Sequence, residues 1–178
     1  SSSVDQRSGV SARFSIAAAE GVAASALRRT ARTGDPDPVA RVCDLPQVLP
    51  TLLGKIEFEM GEEGREAAVL DHLLKMAVAE TFRDRLGGLD LSGFTAIFAE
   101  GAVVETGDLV TADELLGQFG TVSGLARVLD RLGYADASYQ DGGNRGEVAA
   151  AVEFVLEGLY LTRRIEKDIV DGRTVYGG

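Results

Sequence analysis

Gly9-Val10-Ser11-Ala12-Arg13-Phe14, which opens the alanine-rich run that continues to Arg32, is the stretch from which the fold of this chain is read. From Val10 to about Arg32 there is no proline, and the arginines gather toward the far end, where cations suit the negative pole of a helix dipole. Ser8 or Ser11 is available as N-cap, so the spacing predicts one long helix. Gly34-Asp35-Pro36-Asp37-Pro38 must end it, because two prolines and two turn-forming aspartates break a helical ladder. Arg13 stands in the first turn or two of this helix, where free N–H groups and the positive pole favour an anion and a guanidinium adds a permanently charged fork. The same position suits a solvated surface arginine, so spacing alone leaves both readings open.

Working outward, Val39–Cys43 reads as a short extended segment. Asp44 followed by Leu45-Pro46 has the form of an N-cap with proline near the first turn, which predicts a short helix over 45–53 that stops near Gly54, with Pro50 inside it. Lys55-Ile56-Glu57-Phe58-Glu59 alternates polar and apolar residues and reads equally as a strand or a linker. The boundary between two units, 1–55 and 56–178, is placed there. In the second unit, helical spacing predicts helices over 62–86, 91–100, 111–119, 121–132 and 147–167. Thr111-Ala112-Asp113-Glu114 has the form of a capping box. Ala102–Gly107 reads as extended, 136–145 as a loop, and Asp171-Gly172 as a hairpin turn between Ile169-Val170 and Thr174-Val175-Tyr176. On the last long helix, Val148, Val152, Val155, Leu156 and Leu159 form the buried face, with Glu153, Glu157, Arg164 and Lys167 largely outside. The expected fold is mainly α with few short strands.

With 178 residues, 45% hydrophobic and 26% charged, the chain is long enough for one ordinary core, or for a small lid-like unit joined to a second compact one. No run of about 18 apolar residues exists to span a bilayer, and the first residues lack the basic and apolar regions of a signal peptide, which predicts a cytoplasmic protein with no membrane partner. The net charge of −10 is uneven: residues 1–60 balance seven Lys/Arg against seven Asp/Glu, so the acidic excess lies beyond them. That excess disfavours generic nucleic-acid binding and suits a basic protein partner, although residues 1–33 hold five arginines against Asp5 and Glu20 and can face phosphate.

Chemistry confined to the chain is sparse. One cysteine, Cys43, excludes an intrachain disulfide, and with His72 the only histidine there is no Cys/His metal cluster; both residues read as structural. No G-x-x-x-x-G-K-[ST] phosphate loop occurs, since Gly54-Lys55 lacks an upstream glycine in register. Gly142-Gly143-Asn144-Arg145-Gly146 precedes a helix, but no strand clearly leads into it, and it reads as a surface loop. The pairs Glu62-Glu63 and Asp113-Glu114 sit where helix N-termini favour negative charge, so capping accounts for them better than acid–base work. There is no G-x-S-x-G, H-E-x-x-H or C-x-x-C motif.

The stretch Asp5-Gln6-Arg7-Ser8-Gly9-Val10-Ser11-Ala12-Arg13-Phe14, the helix after it and Val39–Gly54 with Asp44-Leu45-Pro46 resemble the small helical lid of AAA+ ATPases. The similarity is to the magnesium-chelatase ATPase subunit-like and MoxR-type group. Arg83–Gly93 and Leu161-Thr162-Arg163-Arg164 are similar to the C-terminal extension of proteins of that kind. The resemblance implies that Arg13 is the sensor 2 arginine, which reaches the γ-phosphate of ATP when the lid closes, and that Arg7 is a weaker candidate for nucleotide or neighbour contact. It implies ATP and Mg2+ as cofactors of a longer polypeptide whose α/β core supplies the phosphate loop, and a ring homo-oligomer that works with a von Willebrand A-domain protein. On this reading, residues 1–55 are the lid and 56–178 an extension for protein interaction, and the chain is the C-terminal part of the ATPase. Two readings stand against it: a helical adaptor unconnected to nucleotide, and, against the overall charge, an acidic regulator that binds DNA through residues 7–32.

Overall fold

Residues 12–55, 64–119, 122–134, 145–171 and 173–178 are described by the computed structural model of the chain. Arg7, the caps Ser8 and Ser11, the segment 56–59, the Glu62-Glu63 pair, Thr121, Gly142-Gly143-Asn144 and Gly172 lie outside the described residues.

The first helix, α1, runs Ala12–Thr33 and buries Ser25, Ala26 and Arg29. Gly34, at φ 79, turns the chain out of it while its N–H donates to the Thr30 carbonyl at 2.8 Å, a left-handed closure that glycine adopts without penalty. Two 3₁₀ turns come next, Val42–Asp44 and Pro46–Val48, and then α2, Leu49–Leu53, with Gly54 as its C-cap. Pro50 falls in the first turn of α2, where no N–H is needed, so it does not break the helix. Two expectations are corrected here. Of Val39–Cys43, Arg41 is extended, at φ −125 and ψ 166, but Val42 and Cys43 already belong to a turn. Asp44 is the last residue of that turn and caps it backwards, its carboxylate accepting from the Arg41 N–H at 2.9 Å.

Helix α3, Glu66–Leu86, spans both halves of the molecule. Its Leu70 joins Val48 and Leu52 in a small core over which Phe14, Ala17, Ala18 and Val22 of α1 pack, whereas its Phe82 and Leu86 enter the main core. The main core is completed by α4 (Ser92–Ala99), β1 (Val104–Thr106), α5 (Ala112–Gly117), α6 (Leu125–Leu132), α7 (Arg145–Leu161), β2 (Glu166–Val170) and β3 (Arg173–Gly177). The described chain is thus mainly helical, with one small antiparallel sheet in the order β1-β3-β2. Thr111 and Glu114 form the expected capping box of α5: the Glu114 N–H donates to the Thr111 hydroxyl at 3.0 Å and the Thr111 N–H to the Glu114 carboxylate at 2.8 Å.

Helix α7 is central, buried along almost its whole circumference. It can be so because Gly158 lets the Phe82 ring sit directly on its backbone, in space that a Cβ at this position would occupy. The expected helix over 147–167 instead runs Arg145–Leu161 and so ends six residues early. The Thr162 hydroxyl donates to the Gly158 carbonyl at 2.7 Å, Arg163 takes φ 60, and the chain leaves the helix to become β2. The hairpin is as expected, with Val170 opposite Arg173 and Asp171 at the positive φ, 50°, that a two-residue loop demands.

Candidate functional site

The two ends of α1 carry arginines in opposite circumstances. Arg13, the second residue of the helix, is exposed and forms no hydrogen bond or ion pair with the described residues. Arg29 is buried, with its side chain 2% exposed, and it is held on every side. Its guanidinium donates to Asp44 Oδ2 at 3.2 Å, to Asp35 Oδ2 at 3.3 Å and to the Val39 carbonyl at 2.5 Å. Ser25 completes the cluster by donating to Asp44 Oδ1 at 3.0 Å. The turn 42–44 folds back against α1 because its one aspartate satisfies an arginine, a serine and a backbone N–H at once.

A second buried pair ties this segment to α7. Arg41 Nε donates to Glu153 Oε2 at 2.7 Å, Arg41 Nη1 donates to the Val110 carbonyl at 2.6 Å, and the Cys43 N–H donates to Glu153 Oε1 at 3.1 Å. Burial alone would lower the Arg41 guanidinium; the Glu153 carboxylate, with Cys43 and Asp35, outweighs it and raises the group above its ordinary value. The Cys43 thiol is pushed well up by burial and then by the same carboxylate, so it stays a thiol rather than a thiolate. Asp35 Oδ1 adds a bond from the Ala112 N–H at 3.0 Å, and at the surface Arg32 meets Asp108 at 2.7 Å.

One turn farther along α7, Glu157 Oε2 accepts from Lys167 Nζ and from the Tyr176 hydroxyl, both at 2.6 Å. Lys167 Nζ also lies 5.3 Å and 5.5 Å from the ring centres of Tyr160 and Tyr176, within cation–π range. Burial, and then the Glu157 carboxylate, push the Tyr176 phenol far up. The expectation that Glu153 and Glu157 lie outside is therefore wrong, and Lys167 leaves the helix for β2, where its stem is half-buried. Arg164 is exposed as expected. Glu153, Glu157, Lys167 and Tyr176 border a cavity of about 180 Å³ between the turn 42–47, α3, the end of β1, α7 and the hairpin. Among the described residues no group of three or more His, Cys, Asp or Glu is arranged to hold a metal ion. His72 is exposed on α3, and the Asp113-Glu114 pair is occupied at the N-terminus of α5.

Sequence reasoning selected Arg13 and passed over Arg29, Arg41, Asp44, Glu153 and Glu157. A signal for the last two existed: between Val148 and Leu161 they are the only charges in a helix apolar on all sides, and a charge in such a helix needs a partner. Nothing in the local pattern separated Arg29 from Arg28 and Arg32. No helix of the described chain is long and apolar enough to cross a membrane. Comparison of the chain with protein-family models, curated proteins and solved structures finds no match.

Proposed function

We propose that the chain is the lid and C-terminal extension of an AAA+ ATPase, in which Arg13 serves as the sensor 2 arginine and residues beyond 55 contact other proteins. The observation that carries the reading is the contrast along α1. Its first turn presents an exposed guanidinium, uncommitted among the described residues, beside the positive helix pole, while its C-terminal half is clamped by Arg29 and Ser25 to Asp44. A cation on a helix anchored at its far end moves with the body behind it, so a phosphate that draws Arg13 in would turn the whole unit. Arg41–Glu153 extends that mechanical link to α7 and the extension. In this role Arg13 stabilises charge on the γ-phosphate of ATP, with Mg2+ and the phosphate loop supplied by an α/β core in a cytoplasmic ring of subunits. Arg7 is a secondary candidate for the same nucleotide or a neighbouring subunit.

The test is ATP turnover by the polypeptide that contains the nucleotide-binding core. Arg13→Ala is expected to lower turnover by about a hundredfold, with partial recovery in Arg13→Lys. Wild-type turnover in Arg13→Ala would overturn the proposal and favour the adaptor reading.

A further inference from the structure

Beyond residue 60, Lys75, Arg145, Lys167 and Arg173 are each paired with a carboxylate. Arg85, Arg127, Arg131, Arg163 and Arg164 are exposed, make no ion pair with the described residues, and gather at one end of the molecule. Arg85 stands in the last turn of α3, Arg127 and Arg131 lie one turn apart on α6, and Arg163-Arg164 follow the end of α7. The Arg131 Nε–H donates to the Arg85 carbonyl at 3.1 Å, which sets α6 against the end of α3. Asp90 ties in the third element: its carboxyl is held below the ordinary range by the Ser92 hydroxyl and N–H first, and then by Arg127 and Arg164, so both guanidinium groups stand near it. Glu80, Arg83 and Asp84 line a groove on the other flank of α3, since Arg83 and Arg85 point apart on the helix. The carboxylates of the arginine face are therefore Asp90, already bonded to Ser92, Asp130 on α6, and Glu166 beside Arg163 and Arg164, so five cations stand against three anions.

The fold does not use these cations to close its helices. A terminal carbonyl of each is met by a backbone donor instead: Arg83 by the Gly87 N–H at 2.8 Å, Asp130 by the Gly133 N–H at 3.1 Å and Leu159 by the Arg164 N–H at 2.8 Å. Arg163 also holds φ 60, the left-handed position at a helix end that glycine takes without strain, so an arginine there forgoes local stability. Free guanidinium forks match carboxylates and phosphates. Two observations favour the carboxylates of a polypeptide over a nucleic acid. The whole chain carries a net charge of −10, so a long polyanion that reaches past this face meets repulsion, whereas a short acidic segment stays within it. No aromatic side chain among the described residues is exposed, so a single strand finds no platform on which to stack its bases.

We infer that this end of the molecule, where α3, α6 and the turn after α7 meet, is a docking face for an acidic segment of a partner protein, whose Asp and Glu side chains pair with Arg85, Arg127, Arg131, Arg163 and Arg164. The inference rests on the part of the proposed function that gives residues beyond 55 to protein contact, and it is independent of the role of Arg13.

Fluorescence anisotropy with labelled decaglutamate tests the inference, alongside an eleven-nucleotide strand of thymidylate, which carries about the same charge, and vesicles containing phosphatidylserine. The expected result is saturable binding of decaglutamate with a Kd of about 100 μM or tighter at low salt, weakened about fivefold or more at about 0.3 M salt. The oligonucleotide and the vesicles should bind at least about tenfold more weakly. Arg127→Glu with Arg164→Glu should weaken decaglutamate binding by about tenfold or more, and Arg163→Gly by about threefold without lowering the melting temperature. Arg145→Ala, at the other end of α7, should bind as the wild type does. Thermal melts establish that each variant is folded, and Arg164→Glu alone decides the matter if the double variant does not fold. Arg13→Ala should bind decaglutamate as the wild type does, so loss of ATP turnover and loss of peptide binding fail separately. No saturable binding to the folded wild type, unchanged affinity in the folded arginine variants of this face, or equal binding of the oligonucleotide or the vesicles would each overturn the assignment.

Discussion

Two arginines of one helix, about 24 Å apart along its axis, are chemically identical and physically opposite. Arg13 at the start of α1 is exposed, while Arg29 near the end has exchanged water for two aspartates and a carbonyl. The difference is set by which part of the chain returns to each guanidinium. Beyond Arg29 come the break at Gly34–Pro38 and a turn that brings Asp44 back to the helix flank, and nothing among the described residues returns to Arg13. An arginine committed to buried carboxylates holds the fold, whereas one left in water is available to a ligand. The clamped end therefore governs stability, and the open end can be changed without cost to the fold.

The sharpest way to break this comparison is at the clamped end. Arg29→Ala strands Asp44 and Asp35 in the interior, and urea unfolding is expected to show a loss of about 3–5 kcal/mol, with a loss of the same order for Glu153→Ala, which strands Arg41. Arg13→Ala should stay within about 0.5 kcal/mol of the wild type. Comparable losses at both ends would end the distinction.

Next in size is a test of the apolar side of α7. Gly158→Ala drives a methyl group into the Phe82 ring and is expected to cost about 1–3 kcal/mol by the same measurement. A neutral result would mean that α3 and α7 do not approach as described.

Smaller is the capping box of α5, which is local and exposed, unlike the buried clamp. Thr111→Ala should cost about 1 kcal/mol. Glu114 lies at the surface, and its carboxyl is held below the usual range by the Thr111 N–H and hydroxyl. A carboxyl depressed on folding contributes stability above its unfolded value of about 4.3 and loses it as pH falls through the folded value. Melting curves of Glu114→Ala and wild type should thus differ at neutral pH and converge in acid; a pH-independent gap would show that the carboxylate is not the capping species. Cys43 completes the series with a rate rather than an energy. At about pH 8.5, where a free thiol is half ionised, Cys43 should resist alkylation in the folded protein and react only in denaturant.

The periodic elements were legible in the sequence. The alanine-rich run without proline is a helix, Thr111–Glu114 is a cap, and Asp171 sits in a two-residue turn, because each rests on residues a few positions apart. What escaped was set by partners far along the chain. Arg41 and Glu153 are separated by 112 positions, and nothing near either announces the other. Placing Glu153 and Glu157 on the outer face rests on the ordinary preference of glutamate for water, which central α7 overrides by supplying Arg41, Lys167 and Tyr176 as partners. The end of α7 was misjudged for a related reason: Arg163 to Lys167 continue a composition that suits a helix, but Arg163 turns out of it at φ 60 and pairing with β3 claims Glu166 and Lys167.

The central claim, that α1 is locked at one end and open to a nucleotide phosphate at the other, is tested most directly by ATP turnover of Arg13→Ala in the core-containing protein, measured at a temperature where its melting curve coincides with that of the wild type. The account predicts an unchanged melting curve with turnover lowered by about a hundredfold. Turnover equal to the wild type, or a loss matched by an equal drop in melting temperature, would contradict it.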